Sequence, residues 1–422
     1  MFSSRPEDRY KLLTMLSVII LWFVPVSMFV TPIVDFVIVK WREINWTMTM
    51  TMGSFLFTTI PLMAIVKTQL FSNGERRFFW AILGFFGYAL ILSLIMSTDW
   101  FYPVYGLSSW LGAALAGTVI YVMVRDGVLT PERTFRILSY GLIFTALPMV
   151  LVLVDTDRFA EIVGWRGAAN MLYAYENPRA LGWISSIALS LLVIRLATSK
   201  EDDRFHPALL LLIIVASTTL FWSGSRGGLI ALAVSFGAVL ALSKTRNTKR
   251  LAIALACVAV GGVISVFLYL PSTSYGILPR IDAKLSQGNV DAMSSGRLTL
   301  WKLTMSFIVE QPLLGYGALP HKELPGFTHG SAHNIILDAW LWFGIPLGTF
   351  ALGCGAYLWF RTCAIFRKAD DPYLAAFFCV ISTLAVYSLL SGPYARTFPV
   401  LLFAISAGVL LGSRRRTAKE RA

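Results

Sequence analysis

The chain has 422 residues, of which 56% are hydrophobic and only 14% charged, against roughly 25% charged in soluble domains. That excludes a separate water-soluble core and reads as one integral membrane domain over residues 1–422. The formal charge of +13 is spread over short loops between apolar runs, which fits orientation in a membrane better than a nucleic-acid footprint. The four cysteines, Cys257, Cys354, Cys363 and Cys379, contain no C-x-x-C pair. Neither a disulfide framework nor a zinc site follows from them.

A membrane span needs about 20 mostly apolar residues. On that criterion the sequence predicts about twelve spans, at 12–30, 47–66, 78–97, 104–124, 135–154, 180–197, 207–222, 228–243, 251–270, 333–360, 372–390 and 397–412. The first run, from Leu12 to Val30, lacks a small-residue cleavage site and reads as a retained span rather than a removed signal peptide. Lys and Arg concentrate in alternate loops: Arg76 and Arg77, Arg133 and Arg136, Lys244 to Arg250, Arg361 to Lys368, and the tail from Arg414. The positive-inside rule puts these loops and both termini in the cytoplasm. The long loops 155–179 and 271–332 then face outward. Within the second, Ser294-Ser-Gly296 precedes an apolar stretch from Arg297 to Gln311, which predicts a serine-capped interfacial helix ended by Pro312 and Gly315. Residues 413–422 read as an unstructured basic cytoplasmic tail near anionic headgroups.

Three outward residues carry chemical potential. Arg226 lies in the turn Ser223-Gly-Ser-Arg-Gly-Gly228, between two apolar runs. A cation there is either a functional group or a side chain reaching lipid phosphate. Glycines allow close backbone approach to a ligand, and a guanidinium matches phosphate oxygens in a bidentate fork. Arg297, opening the interfacial helix, has the same two readings. His333 opens the tenth predicted span. In the first turn of a helix the dipole disfavours imidazolium and leaves a neutral ring able to accept a proton. The plain alternative is an interfacial histidine bonded to a neighbour.

The ordered set Ser223-Gly-Ser-Arg-Gly-Gly228, Ser295-Gly-Arg-Leu-Thr-Leu-Trp301, Pro312-Leu-Leu-Gly-Tyr-Gly317, His333-Asn334 and Phe343-Gly-Ile-Pro-Leu-Gly348 resembles the O-antigen ligase and polymerase superfamily. Asn177-Pro-Arg-Ala180 resembles its upstream element. The resemblance covers about residues 165–350. It implies an all-α polytopic membrane protein of the C-type glycosyltransferase fold, in the bacterial inner membrane, with its active site facing the periplasm. The implied donor is a glycan on undecaprenyl diphosphate; in the ligase branch the acceptor is a sugar hydroxyl of lipid A–core. The essential arginines and histidine of that family fall on Arg226, Arg297 and His333.

Expulsion of a diphosphate calls for cations more than for a proton donor, and two arginines supply them without a metal or other cofactor. A neutral His333 suits the base for the attacking hydroxyl. Arg166 and Arg179 are candidate contacts for the donor or acceptor phosphates, and Ser225 and Asn334 join them in the expected substrate-binding set. Arg396 reads as a topology or lipid contact, and His321 and His329 as solvated loop residues. His206 falls on the cytoplasmic side. Asp155-Thr-Asp157 reads as a helix end rather than a metal site. A polymerase, a protein O-oligosaccharyltransferase or an anionic-lipid transporter are the alternatives. The motifs report the donor rather than the acceptor, and no inverted repeat supports the transporter.

Overall fold

The computed structural model describes residues 72–154, 178–201, 207–268, 296–327 and 331–420, together with isolated positions elsewhere; those within 14–33 are helical. The predicted span 47–66 lies outside the described residues. Among the described residues every regular element is a helix. In chain order they are α1 (Asn73–Met96), α2 (Phe101–Arg125), α3 (Pro131–Gly141), a 3-10 segment (Leu142–Ala146), α4 (Leu147–Val154), α5 (Pro178–Ala197), α6 (Ala208–Trp222), α7 (Arg226–Leu242) and α8 (Thr248–Phe267). They continue with α9 (Arg297–Glu310), a 3-10 turn (Pro320–Lys322), α10 (Ile335–Ala369), α11 (Pro372–Leu390), a second 3-10 turn (Pro393–Ala395) and α12 (Thr397–Glu420). Eight helical stretches, Pro131–Val154 counted as one, are long and apolar enough to cross a membrane, and the shorter α6 and α7 are apolar as well. This is the architecture of a polytopic membrane protein.

Several of the helices begin at polar caps rather than where hydropathy rises. Ser72 and Glu75 form a reciprocal capping box at α1, so the helix starts ahead of the apolar run expected from 78. Thr130 accepts from Arg133 N with Pro131 in the first turn of α3, and Asp371 accepts from Tyr373 and Leu374 N at α11. Two expectations are corrected at helix ends. The cap position of α9 is Gly296, with φ 76° and no side-chain capping bond, rather than a serine. The tail expected to be unstructured from 413 continues α12 as far as Glu420, because no Gly or Pro interrupts it and basic residues suit a helix C-terminus.

The chain alternates between two ends of the bundle. At the end carrying the cation-rich loops, Arg125 pairs with Glu75 at 2.6 Å, joining α2 to α1. There too, Arg250 of α8 donates to Ser199 Oγ and to the carbonyls of Glu201 and Asp203. At the opposite end, Glu323 accepts from Ser97 and Thr98 and clamps the first 3-10 turn onto the loop after α1. Between the ends runs α5, whose residues from Ala180 to Ala197 are all buried. A helix apolar on every side belongs in the interior, and α6, α7, α8 and α11 pack around this one.

The long helix α10 is kinked at Gly344 (φ 72°, ψ 167°). Pro346 has no N–H to give the Trp342 carbonyl, and Ile345 N turns away to Pro312 O at 2.7 Å. The two carbonyls left over, Leu341 and Trp342, are taken by Tyr316 N at 2.8 Å and Gly317 N at 2.9 Å. The Ile345 N–H and the Leu341 and Trp342 carbonyls are thus satisfied within the protein, as an apolar environment requires. Pro312-Leu-Leu-Gly-Tyr-Gly317 and Phe343-Gly-Ile-Pro-Leu-Gly348 are the two halves of one backbone lock. The lock closes only because Gly315 and Gly344 have no side chains: a Cβ on Gly315 would lie 2.5 Å from Gly344 N.

Gly344→Ala would overlap the Leu313 carbonyl and hold a side chain at positive φ, the latter alone costing about 1–2 kcal/mol. The expected outcome is a thermal midpoint in detergent several degrees below wild type. Gly353→Ala, on the same helix with open space at its Cβ, serves as control. Equal midpoints for the two variants would refute the lock.

Candidate active site

At the end of the bundle opposite the cation-rich loops, α6 gives way to α7 through Ser223, Gly224 and Ser225. Gly224 takes φ 63° to make the turn. Arg226 is the first residue of α7, and no side chain caps that helix start. Ser225 occupies the cap position, but its hydroxyl bonds the Tyr387 hydroxyl of α11. Gly227 and Gly228 let the Tyr387 ring lie against α7; a Cβ on Gly227 would stand 3.0 Å from Tyr387 Cε2. From the other side, Gly182 of α5 approaches so closely that its Cβ would fall 2.7 Å from Ser225 Oγ. The Arg226 turn is therefore wedged between α5 and α11.

His333 precedes α10 by two residues. Asn334 holds the cap position, its side-chain oxygen accepting from Ile336 N at 3.0 Å and Leu337 N at 3.3 Å. This corrects the expected place of His333 in the first helical turn: it stands just outside it. The Asn334 amide also donates to the Leu389 carbonyl at 3.4 Å. His333 itself takes φ 56°, a left-handed conformation costing about 1–2 kcal/mol for a residue with a Cβ. Such a conformation persists where the surroundings impose it. Here Ser331 Oγ lies 3.3 Å from both the His333 backbone N and its Nδ1.

Arg297, half-buried, opens α9. One turn further on, Trp301 Nε1 donates to the Ala332 carbonyl at 2.9 Å, tying α9 to the residue before His333. The Arg226 turn and the His333 turn meet on the last turn of α11 and the residues after it. Tyr387 holds the first and Leu389 the second. Ser391 accepts from Trp183 Nε1 of α5 at 3.2 Å. Gly392 touches the His333 turn, since a Cβ there would lie 2.7 Å from Ser331 Oγ and 3.5 Å from His333 Nδ1.

Beneath this turn lies a buried polar cluster. Asp338, in the first turn of α10, is 1% exposed. Its Oδ1 accepts from Ala332 N at 2.9 Å, and its Oδ2 from the Tyr394 hydroxyl. His321, expected to be solvated, is instead 2% exposed, with Nε2 2.9 Å from Asp338 Oδ1. That approach is close without the in-line geometry of a hydrogen bond. Phe327 covers one side of it, its ring meeting the imidazole edge-on with centroids 4.8 Å apart.

Arg179 falls in the first turn of α5, and Arg396 ends the second 3-10 turn. Arg166, Asp155, Asp157, His206 and His329 lie outside the described residues. Among the described residues no three metal-ligating side chains come together.

Residues 209–352 match the family model described as O-Antigen ligase. This match supports a kinship of that segment with the O-antigen ligase superfamily. The matched segment contains Arg226, Arg297, His333 and the kink at Gly344. The chain is also similar to a Haemophilus influenzae protein named only "Uncharacterized protein", 30% identical over 159 residues, which cover 33% of this chain and 39% of that relative. The chain thus spans well under two thirds of that relative's length.

Gly392→Ala would push Ser331 and His333 outward while leaving both in place chemically. Hydrogen–deuterium exchange of peptides covering 331–334 in the detergent-solubilised protein is expected to quicken several-fold, with exchange elsewhere unchanged. Unaltered exchange in that turn would show that Gly392 does not brace it.

Proposed function

We propose that the protein is an O-antigen ligase, moving a glycan from undecaprenyl diphosphate to a sugar hydroxyl of lipid A–core on the periplasmic face of the bacterial inner membrane. In this reading the fold is a twelve-span C-type glycosyltransferase with both termini cytoplasmic and the 271–332 segment in the periplasm. The observation that carries it is the meeting of the Arg226 and His333 turns on the end of α11, with Arg297 joined to the second turn through Trp301 and Ala332. Motifs separated by about 100 residues in sequence, all within the O-Antigen ligase match, share one end of the bundle.

His333 accepts the proton of the acceptor hydroxyl, whose oxygen attacks the anomeric carbon. A carbon–oxygen bond forms as the bond to the diphosphate breaks, and the electron pair leaves with the diphosphate. Direct displacement inverts the anomeric centre. Arg226 and Arg297 hold the charge that builds on the leaving group, where fixed cations in an apolar setting act strongly. The positive end of the α7 dipole adds to this. Arg166 and Arg179 bind donor or acceptor phosphates. Ser225 and Asn334 stand beside the reacting groups, with their own hydrogen bonds going to Tyr387 and to the α10 cap. Guanidinium groups supply the needed charge without a metal.

Transfer by purified protein from a lipid-linked glycan to defined acceptors tests this reading. His333→Ala is expected to lower kcat about 10²–10⁴-fold. Arg226→Lys, which keeps the charge but loses the fork, is expected to lose most of the rate as well. Near-normal transfer by His333→Ala would remove the base assignment, and sensitivity to a chelator reversed by added Mn²⁺ would overturn the metal-free mechanism. In a deletion strain, lipopolysaccharide on a gel should show intact core without long chains, with lipid-linked polymer accumulating. Retained attachment of single repeat units would assign a polymerase instead.

A further inference from the structure

His333 stands between two residues that the fold pins from different directions. On its N-terminal side Ala332 is fully buried, and both polar atoms of its backbone are engaged. The Ala332 N–H donates to Asp338 Oδ1 at 2.9 Å, and the carbonyl accepts from Trp301 Nε1 at 2.9 Å. On the C-terminal side the Asn334 side chain is tied to Ile336 N, Leu337 N and the Leu389 carbonyl. With both neighbours fixed, His333 has little choice of backbone conformation, and it takes φ 56°. A residue with a Cβ holds that conformation only where its surroundings over-determine it. Asp338 is the tie that comes from within α10. It lies in the first turn, beyond the Asn334 cap, and reaches back across that cap. Its Oδ2 accepts from the Tyr394 hydroxyl of the second 3-10 turn, so the side chain is itself held in place. An acidic residue buried in the first turn of an apolar helix is costly and asks for a function.

We infer that Asp338 is a positioning residue for His333: by holding the Ala332 N–H it imposes the left-handed turn that sets the imidazole beside Gly392. It acts through the backbone of Ala332, one residue away from His333, and not through a proton of its own. The consequence for catalysis rests on the ligase reading, whereas the conformation of the turn is a property of the fold. What the turn needs at this position is an acceptor of the right length. An amide meets that need: Asp338→Asn keeps one oxygen for Ala332 N and presents an NH₂ that the Tyr394 oxygen can accept. Asp338→Ala leaves the Ala332 N–H and the Tyr394 hydroxyl buried without this partner, and the turn is then free to relax to an ordinary negative φ. A carboxyl that exchanged protons with the substrate would behave differently, since an amide could not replace it.

The test has two readouts on the full chain. In nanodiscs with ¹³C-labelled histidine, the Cα and Cβ shifts of His333 report its φ. The chain has only four histidines, and the signals lost in His333→Gln assign the relevant one. The wild type and Asp338→Asn should both show left-handed shifts, and Asp338→Ala should lose them. In transfer assays with a lipid-linked glycan, Asp338→Ala should lower kcat about 10²-fold, the size of effect that a misplaced reacting group produces. KM for the donor should change little, and Asp338→Asn should recover most of the rate. Should Asp338→Ala not fold, Asp338→Leu removes the acceptors while filling the volume. Left-handed shifts that survive in the Ala or Leu variant would overturn the inference. So would an Asn variant as slow as Ala, or a loss confined to KM. If the wild type transfers no glycan, the ligase reading falls, while the His333 shifts still decide whether Asp338 sets the turn.

Discussion

The last turn of α11 and the residues after it, 387–392, hold together parts of the chain that local sequence would leave apart. Tyr387 bonds the Ser225 hydroxyl, Leu389 accepts from Asn334, Ser391 accepts from Trp183, and Gly392 touches Ser331. Each such bond contributes only about 1 kcal/mol net. Together, in surroundings with little water to compete, they fix two turns relative to one helix end. Replacing any one of these residues disturbs a shared support rather than a single contact.

A second constraint acts on the backbone. An interrupted helix in an apolar setting needs partners for each N–H and C=O it releases. The break at Gly344 and Pro346 finds them for the Ile345 N–H and the Leu341 and Trp342 carbonyls in residues 312–317. The segment between α9 and the kink is thereby folded back onto α10. That positions α9, with Arg297 at its start, beside the turn that carries His333. The same interval includes the 3-10 turn whose His321 reaches Asp338. The kink and the polar cluster are two consequences of returning one loop onto one helix.

Much of this was legible in the sequence, for identifiable reasons. A run long and apolar enough to span a membrane is a strong local signal, so the third to twelfth expected spans have counterparts among the described helices. Their ends moved by a few residues because Ser72 and Glu75, or Asn334, are polar groups lying outside the apolar run. Arg226 stood out because a cation between two apolar stretches has few bland explanations. Asp338 carried the same kind of signal, an ionisable residue inside a predicted span, and it could have been found that way. Tyr394 had no such mark among 15 tyrosines. His321 looked like any loop histidine, since its partner is far along the chain and the Phe327 ring meets it only in the folded loop. The basic tail misled because charge suggests disorder, while helix continuation depends on the lack of a breaker.

The direct measurement is a structure of the full chain in lipid nanodiscs with a non-transferable undecaprenyl-diphosphate glycan analogue bound. The diphosphate should lie within hydrogen-bonding reach of the Arg226 and Arg297 guanidinium groups, with the anomeric carbon toward the His333 ring. A diphosphate seated at the end that carries the cation-rich loops, or Arg226 and Arg297 turned to separate faces of the bundle around it, would contradict the account.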